Sequence, residues 1–213
     1  MVSRTKLLIG SFIFTLVVFI IGLFIGFQMD KLRVNDLSNL LSESDLNSQS
    51  YLINQDFYSV FGGDWCKNAL PLAEKVSLES VRVGRLLSSY ESKKFYNEDE
   101  YNYLKRKYFL LELNAFILFT KMNQNCKTKN HMILFFYDID QGSSIAQGTN
   151  LDELVEENKL VYVFSFDRTY TQEPLLESIK TQYNITKSPT LIINSNKKLE
   201  GFTTYKEILN SLN

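Results

Sequence analysis

The chain has 213 residues, 45% of them hydrophobic and 14% aromatic, a composition that folds and excludes a purely disordered tether. Its net charge is −1, with Lys and Arg scattered among Asp and Glu, so no basic stripe is present to hold nucleic acid. Nine glycines form no GxGxxG or phosphate-loop pattern, and one His with two Cys cannot supply a usual zinc set, so neither a cofactor nor a metal is expected.

The N-terminal segment carries the strongest single signal. Residues 7–27, LLIGSFIFTLVVFIIGLFIGF, run for 21 positions without a charge. A helix of that length spans about 31 Å, matching the hydrocarbon core of a bilayer. The run ends in GFQMDKLR with no A-x-A-like cleavage site, so residues 1–29 read as a tail and a retained anchor. Arg4 and Lys6 precede the span while Lys31 and Arg33 follow it, which leaves a weak positive-inside bias. The short tail is the easier part to leave in the cytoplasm. A single-pass protein with its soluble part outside, where disulfides persist, is therefore expected. Gly22 and Gly26 form a GxxxG, a candidate seam for a homodimer, although glycine is common in membrane helices generally.

Residues 30–63 are polar and read as a juxtamembrane linker, with a short amphipathic helix suggested by Leu37, Leu40 and Leu41. Whether YLINQDFYSVF packs on a neighbour or forms an irregular edge is left open. A boundary follows at Gly62-Gly63-Asp64, with Asp64 a reasonable helix cap. Apolar residues then recur with helical spacing over 66–92 and again over 98–125. The polar break SKKFYNEDE joins them, with Asn97 a candidate cap, so residues 64–128 are expected to form an antiparallel helical hairpin.

From residue 131 the pattern changes. MILFFY (132–137), KLVYVFSF (159–166) and TLIIN (190–194) read as strands, and a weaker strand falls near 198–202. Helices are expected near 145–157, near 174–184 and over 203–212. The predicted class is α/β, with a βαβαββα unit over 129–213 behind the hairpin and the transmembrane helix.

That order, with YNITKSPTLIIN at 183–194, resembles the thioredoxin-like fold superfamily over about residues 131–213. The resemblance rests on Tyr183, Ile185 and Ser188-Pro189-Thr190, and on Gly201 ahead of the last helix. It implies a cis peptide before Pro189 and a backbone at Ser188 offered to an extended substrate or partner. It also implies a Cys-x-x-Cys at the start of the helix after the first strand, where helix-end amides lower a thiol pKa. Gln141-Gly142-Ser143-Ser144 stand there instead. A hydroxyl lacks a thiol's acidity and forms no disulfide, so this departure removes dithiol exchange from the site. A serine nucleophile at Ser143 or Ser144 is improbable, because His131 falls at the far end of the first strand. Asp138 and Asp140 read as turn formers.

Cys66 and Cys126 stand about equally far from the hairpin turn, which brings them side by side at its open end and makes a disulfide plausible. Closing that loop would contribute about 4 kcal/mol in the chain-entropy picture. Two buried free thiols and a reactive Cys66 are the competing readings. Trp65-Cys66 looks like a thioredoxin active-site opening, but Ala69 occupies the place a second cysteine would need.

The expected function is a membrane-anchored, redox-inactive protein. It binds another protein or an extended peptide near Ser188, Pro189 and Thr190 and the loop carrying Gln141, Ser143 and Ser144. The alternative is an enzyme, a thiol–disulfide oxidoreductase using Cys66 and Cys126.

Overall fold

The computed structural model describes residues 4–91 and 98–212. The chain divides into two compact units, Met1–Ser50 and Tyr51–Asn213. In the first unit the described residues are helical throughout, as the start of α1 (Arg4–Phe61). Its segment Ile9–Gly26 has a mean hydropathy of 2.6 and is long and apolar enough to cross a membrane. Phe12, Phe14, Phe19 and Phe24 along it are all exposed.

One expectation is corrected here. The stretch 30–61 holds no separate short helix, because α1 continues through it, Leu37, Leu40 and Leu41 included. No Gly or Pro lies between Gly26 and Gly62, so nothing interrupts the i→i−4 ladder. The helix stops where Gly62 and Gly63 take φ of 72° and 119°, and Gly62 N–H closes on Tyr58 O at 3.1 Å. YLINQDFYSVF forms the last turns of α1, and there Tyr51 is buried.

The second unit combines the hairpin and the sheet. Helix α2 (Cys66–Glu91) buries Ala69, Ala73, Val76, Ser80, Val83 and Leu87 as one stripe at three- and four-residue spacing. It packs against α3 (Glu98–Asn125). The expected cap Asn97 lies outside the described residues. Glu98, Asp99 and Glu100 fill the first turn of α3, where the helix dipole favours negative charge. A Cβ on Gly84 would come within 3.0 Å of the Tyr108 ring, so glycine lets the two helices approach there.

The sheet has four strands: β1 (His131–Tyr137), β2 (Val161–Asp167), β3 (Thr190–Ile193) and β4 (Lys197–Glu200). Their order is β2-β1-β3-β4, with β1 parallel to β2 and antiparallel to β3. Register pairs Tyr137 with Asp167 and Phe136 with Thr190. Three helices complete the unit: α4 (Gly142–Glu157), α5 (Pro174–Gln182) and α6 (Tyr205–Leu212). Alternation splits the side chains of the sheet between two layers. Phe164 and Phe166 of β2 meet Phe116 and Phe109 of α3, with ring centroids 5.6 and 5.7 Å apart. On the other face Ile133 and Phe135 join Leu151 and Leu154 of α4 and Ile208 and Leu212 of α6 in one core. The Ser188–Pro189 peptide is cis and leads into β3. Element order, strand order and this peptide together make the sheet unit a thioredoxin-like fold.

Candidate functional site

The loop after β1 and the cis-proline loop meet at one end of the sheet, because β1 and β3 are antiparallel neighbours. Gln141 sits at the N-cap of α4 in an extended conformation, and its side chain makes no capping bond. It reaches across to Ser188 instead. Gln141 Nε2 donates to Ser188 O at 3.0 Å, while its Oε1 accepts from Ser188 Oγ at 2.6 Å. The same Oε1 accepts from Ser144 Oγ at 2.9 Å, and Ser144 Oγ accepts from Asp138 N–H at 3.2 Å. Ser144 is buried, so its hydroxyl holds the turn.

The neighbouring backbone is occupied too. Thr190 Oγ1 donates to Lys187 O at 2.8 Å, and Gly201 N–H donates to Pro189 O at 2.8 Å. Of the residues expected here, Gln141, Ser144, Ser188, Pro189 and Thr190 do converge. Ser143 is half-buried and stands outside this network. The Ser188 carbonyl is not an open acceptor, because Gln141 already engages it.

Beside this network Arg168 makes a two-pronged contact with Asp138, Nε to Oδ1 at 3.0 Å and Nη2 to Oδ2 at 2.6 Å. Burial pushes the Asp138 carboxyl up, but the two bonds from Arg168 and its charge outweigh it and hold it below its ordinary value. Sequence reasoning missed Arg168. Parallel pairing of Tyr137 with Asp167 places the next residues, Asp138 and Arg168, opposite each other, so a charged pair just beyond two strand ends was the available signal. His131 lies at the start of β1, its Nδ1 3.4 Å from Asn194 Nδ2, at the opposite strand end from Ser143 and Ser144.

Two of the charged residues buried on α3 contact β2. Lys105 is 2% exposed and donates to Asp167 Oδ2 at 2.5 Å and to Tyr101 Oη at 2.7 Å. Its Nζ lies 5.1 and 5.5 Å from the ring centroids of Tyr101 and Tyr170. Asp167 also accepts from Thr169 N–H at 2.9 Å and Thr169 Oγ1 at 2.6 Å. Glu112 accepts from Ser80 Oγ and, at 2.8 Å, from Ser165 N–H. Burial pushes its carboxyl from 4.5 up to about 7, against the opposing bonds from Ser80 and Ser165. Both residues fall on a helix where a charge is ordinarily read as solvated.

The folded chain holds the Glu112 proton through a range in which an unfolded glutamate has released it. The stability so contributed is complete below about pH 4.5 and lost as pH rises through about 7. Glu112→Gln should remove that slope, gaining on the order of 3 kcal/mol over the native chain above pH 7. Urea unfolding of both chains across this pH range checks it, and parallel pH profiles would rule it out.

Cys66 and Cys126 form a disulfide with Cα atoms 5.4 Å apart, joining the start of α2 to the residue after α3. No Cys66 thiol remains to act as a nucleophile in this state. Among the described residues no group of three metal-ligating side chains occurs.

No family model and no curated protein matches the chain. Among solved structures it is similar to thioredoxin from Fasciola hepatica, at 16% identity over 45% of this chain and 88% of that one, with a TM-score of 0.35. It is also similar to mitochondrial thioredoxin 3 from Saccharomyces cerevisiae in its oxidized form, at 15% identity over 44% and 87% of the two chains and a TM-score of 0.34. A third is the reduced thioredoxin pre-protein from Schistosoma mansoni, at 20% identity over 45% and 86%, again with a TM-score of 0.34.

Proposed function

We propose that this chain is a membrane-anchored protein-binding module that takes an extended segment of another protein beside Ser188-Pro189, without dithiol chemistry at 141–144. One observation carries the reading. The Gln141 primary amide lies on Ser188 as a peptide group would, donating to Ser188 O and accepting from Ser188 Oγ. An incoming backbone amide can take over that bond like for like, at little net hydrogen-bond cost. Gln141 and Ser144 carry no thiol, so capture here is non-covalent.

The apolar segment Ile9–Gly26 supplies the anchor in this reading. A structural disulfide suits an oxidising compartment, which favours an extracytoplasmic soluble part. A second copy could pair through Gly22 and Gly26, where an added Cβ meets nothing within 4 Å.

The test places a photoreactive residue at Lys187, whose side chain is 71% exposed, in the full chain in its own membrane. Irradiation should give one discrete adduct, and Gln141→Ala should raise its yield by about threefold by freeing Ser188. No adduct, or a yield indifferent to Gln141→Ala, would count against binding at this loop.

A further inference from the structure

Strand β2 is an edge of the sheet, paired on one side only, with β1. His131 N–H donates to Leu160 O and Arg168 N–H donates to Tyr137 O, at 2.7 and 2.8 Å. These two bonds fix the parity of the ladder. Even-numbered residues of β2 bond to β1, and odd-numbered ones direct N–H and C=O outward. Two outward donors are already taken: Val161 N–H by Asn158 O at 3.0 Å and Ser165 N–H by Glu112 at 2.8 Å. Between them Val163 turns both its N–H and its C=O to the free edge, flanked by the outward carbonyls of Val161 and Ser165.

That edge is open to a groove of about 590 Å³, walled by α2 and α3 on one side and α4 on the other. Apolar walls come from Val81, Ala115 and Val155, two of which are exposed valines, Val81 at 48% and Val155 at 37%. The charges are mostly of one sign. Asp152 and Glu156 stand one turn apart on the α4 wall, the buried Glu112 carboxyl closes the Ser165 end, and among the described residues Lys159 is the one cation lining the groove. Glu74 on α2 adds its negative charge at Tyr162. Burial and the Glu156 charge together hold the Asp152 carboxyl above its ordinary value, so a cation placed between the two would relieve a standing repulsion.

We propose that this groove is a second docking surface, where an extended segment alternating cationic and apolar residues adds as a strand along β2. Backbone bonds to Val163 and to the carbonyls of Val161 and Ser165 hold the segment in register. At about 3.3 Å per residue, four or five residues fit along the edge. Alternation sends one set of side chains to Asp152 and Glu156 and the other to Val81 and Ala115. Open strand edges are normally blunted, and Glu112 blunts this one only at Ser165. The surface is separate from the cis-proline loop, since β1 lies between β2 and β3.

The test uses the full chain in neutral detergent and two seven-residue probes, one alternating Lys with Val and the other alternating Glu with Val. The Lys probe should bind, slow hydrogen exchange at the Val163 amide, and lose about tenfold in affinity against Asp152→Lys/Glu156→Lys. N-methylation of the probe backbone should abolish binding. Both α4 positions are solvent-exposed, so the double variant should fold, and its far-UV circular dichroism checks this. Equal affinity for both chains, equal binding of the Glu probe, or no binding would overturn the proposal. So would protection at Ser188 in place of Val163, an outcome that would leave the cis-proline reading standing.

Discussion

Lys105→Met should lower the melting temperature of the soluble part by about 10 °C, a loss of about 3–5 kcal/mol. The side chains of Lys105 and Asp167 are 2% and 3% exposed, and their 2.5 Å contact is the main compensation for removing two charges from water. Met fills much of the same volume but takes the ammonium away from Asp167, which keeps the Thr169 N–H and Oγ1 donors, and from Glu91, 3.6 Å from Lys105 Nζ. Removing one partner of such a pair costs more than removing both. Asp167→Asn added to Lys105→Met should therefore restore a large part of the loss. Thermal unfolding of the single and double variants measures this coupling directly. A Lys105→Met chain within about 1 kcal/mol of the native one would show that the pair is solvated in solution.

Cutting the disulfide should cost nearly as much. Cys66 and Cys126 are 60 residues apart in sequence, and a closed loop of that size stabilises by about 4 kcal/mol through the unfolded chain, with measured losses often smaller. The bridge ties the start of α2 to the residue after α3, so the Cys66→Ser/Cys126→Ser chain should fray from that end. Hydrogen exchange should rise first in the turn at Ala69 and in the last turn of α3 around Met122, both buried in the native chain. The core of Ile133, Leu154 and Ile208 should keep its protection until global unfolding. Uniform loss across the hairpin and the sheet would mean that the two unfold as one cooperative unit.

Periodicity and punctuation made the sheet unit legible. Each strand was found within about two residues, because β1 and β3 are unbroken apolar runs and Pro174 and Pro189 mark the elements beside them. The symmetry of the hairpin made a Cys66–Cys126 bridge plausible beside free thiols or a reactive Cys66, and the two are bonded. Residues 30–61 misled in one respect, because their polarity suggested only a short helix where α1 is continuous. Polarity is compatible with a helix, and only Gly62-Gly63 provides a stop.

The site was legible in its parts and not in its state. Gln141, Ser144 and Ser188 were located by the resemblance, but no local pattern reveals that one glutamine side chain bridges 47 positions to close the loop on itself. Lys105 and Glu112 escaped for a related reason. α3 is buried on two sides, by α2 and by β2, so positions that would be the solvent face of an ordinary hairpin meet Asp167 and Ser165 instead. A sequence read one helix at a time cannot supply that second neighbour.

As proposed, the thioredoxin-like unit serves binding and the Cys66–Cys126 disulfide is a staple. Insulin reduction by dithiothreitol, with the full chain in neutral detergent, tests it most directly. Native chain and Cys66→Ser should both leave the reaction at its uncatalysed rate. Acceleration by the native chain that disappears in Cys66→Ser would establish the disulfide as catalytic and remove the basis for a purely binding role.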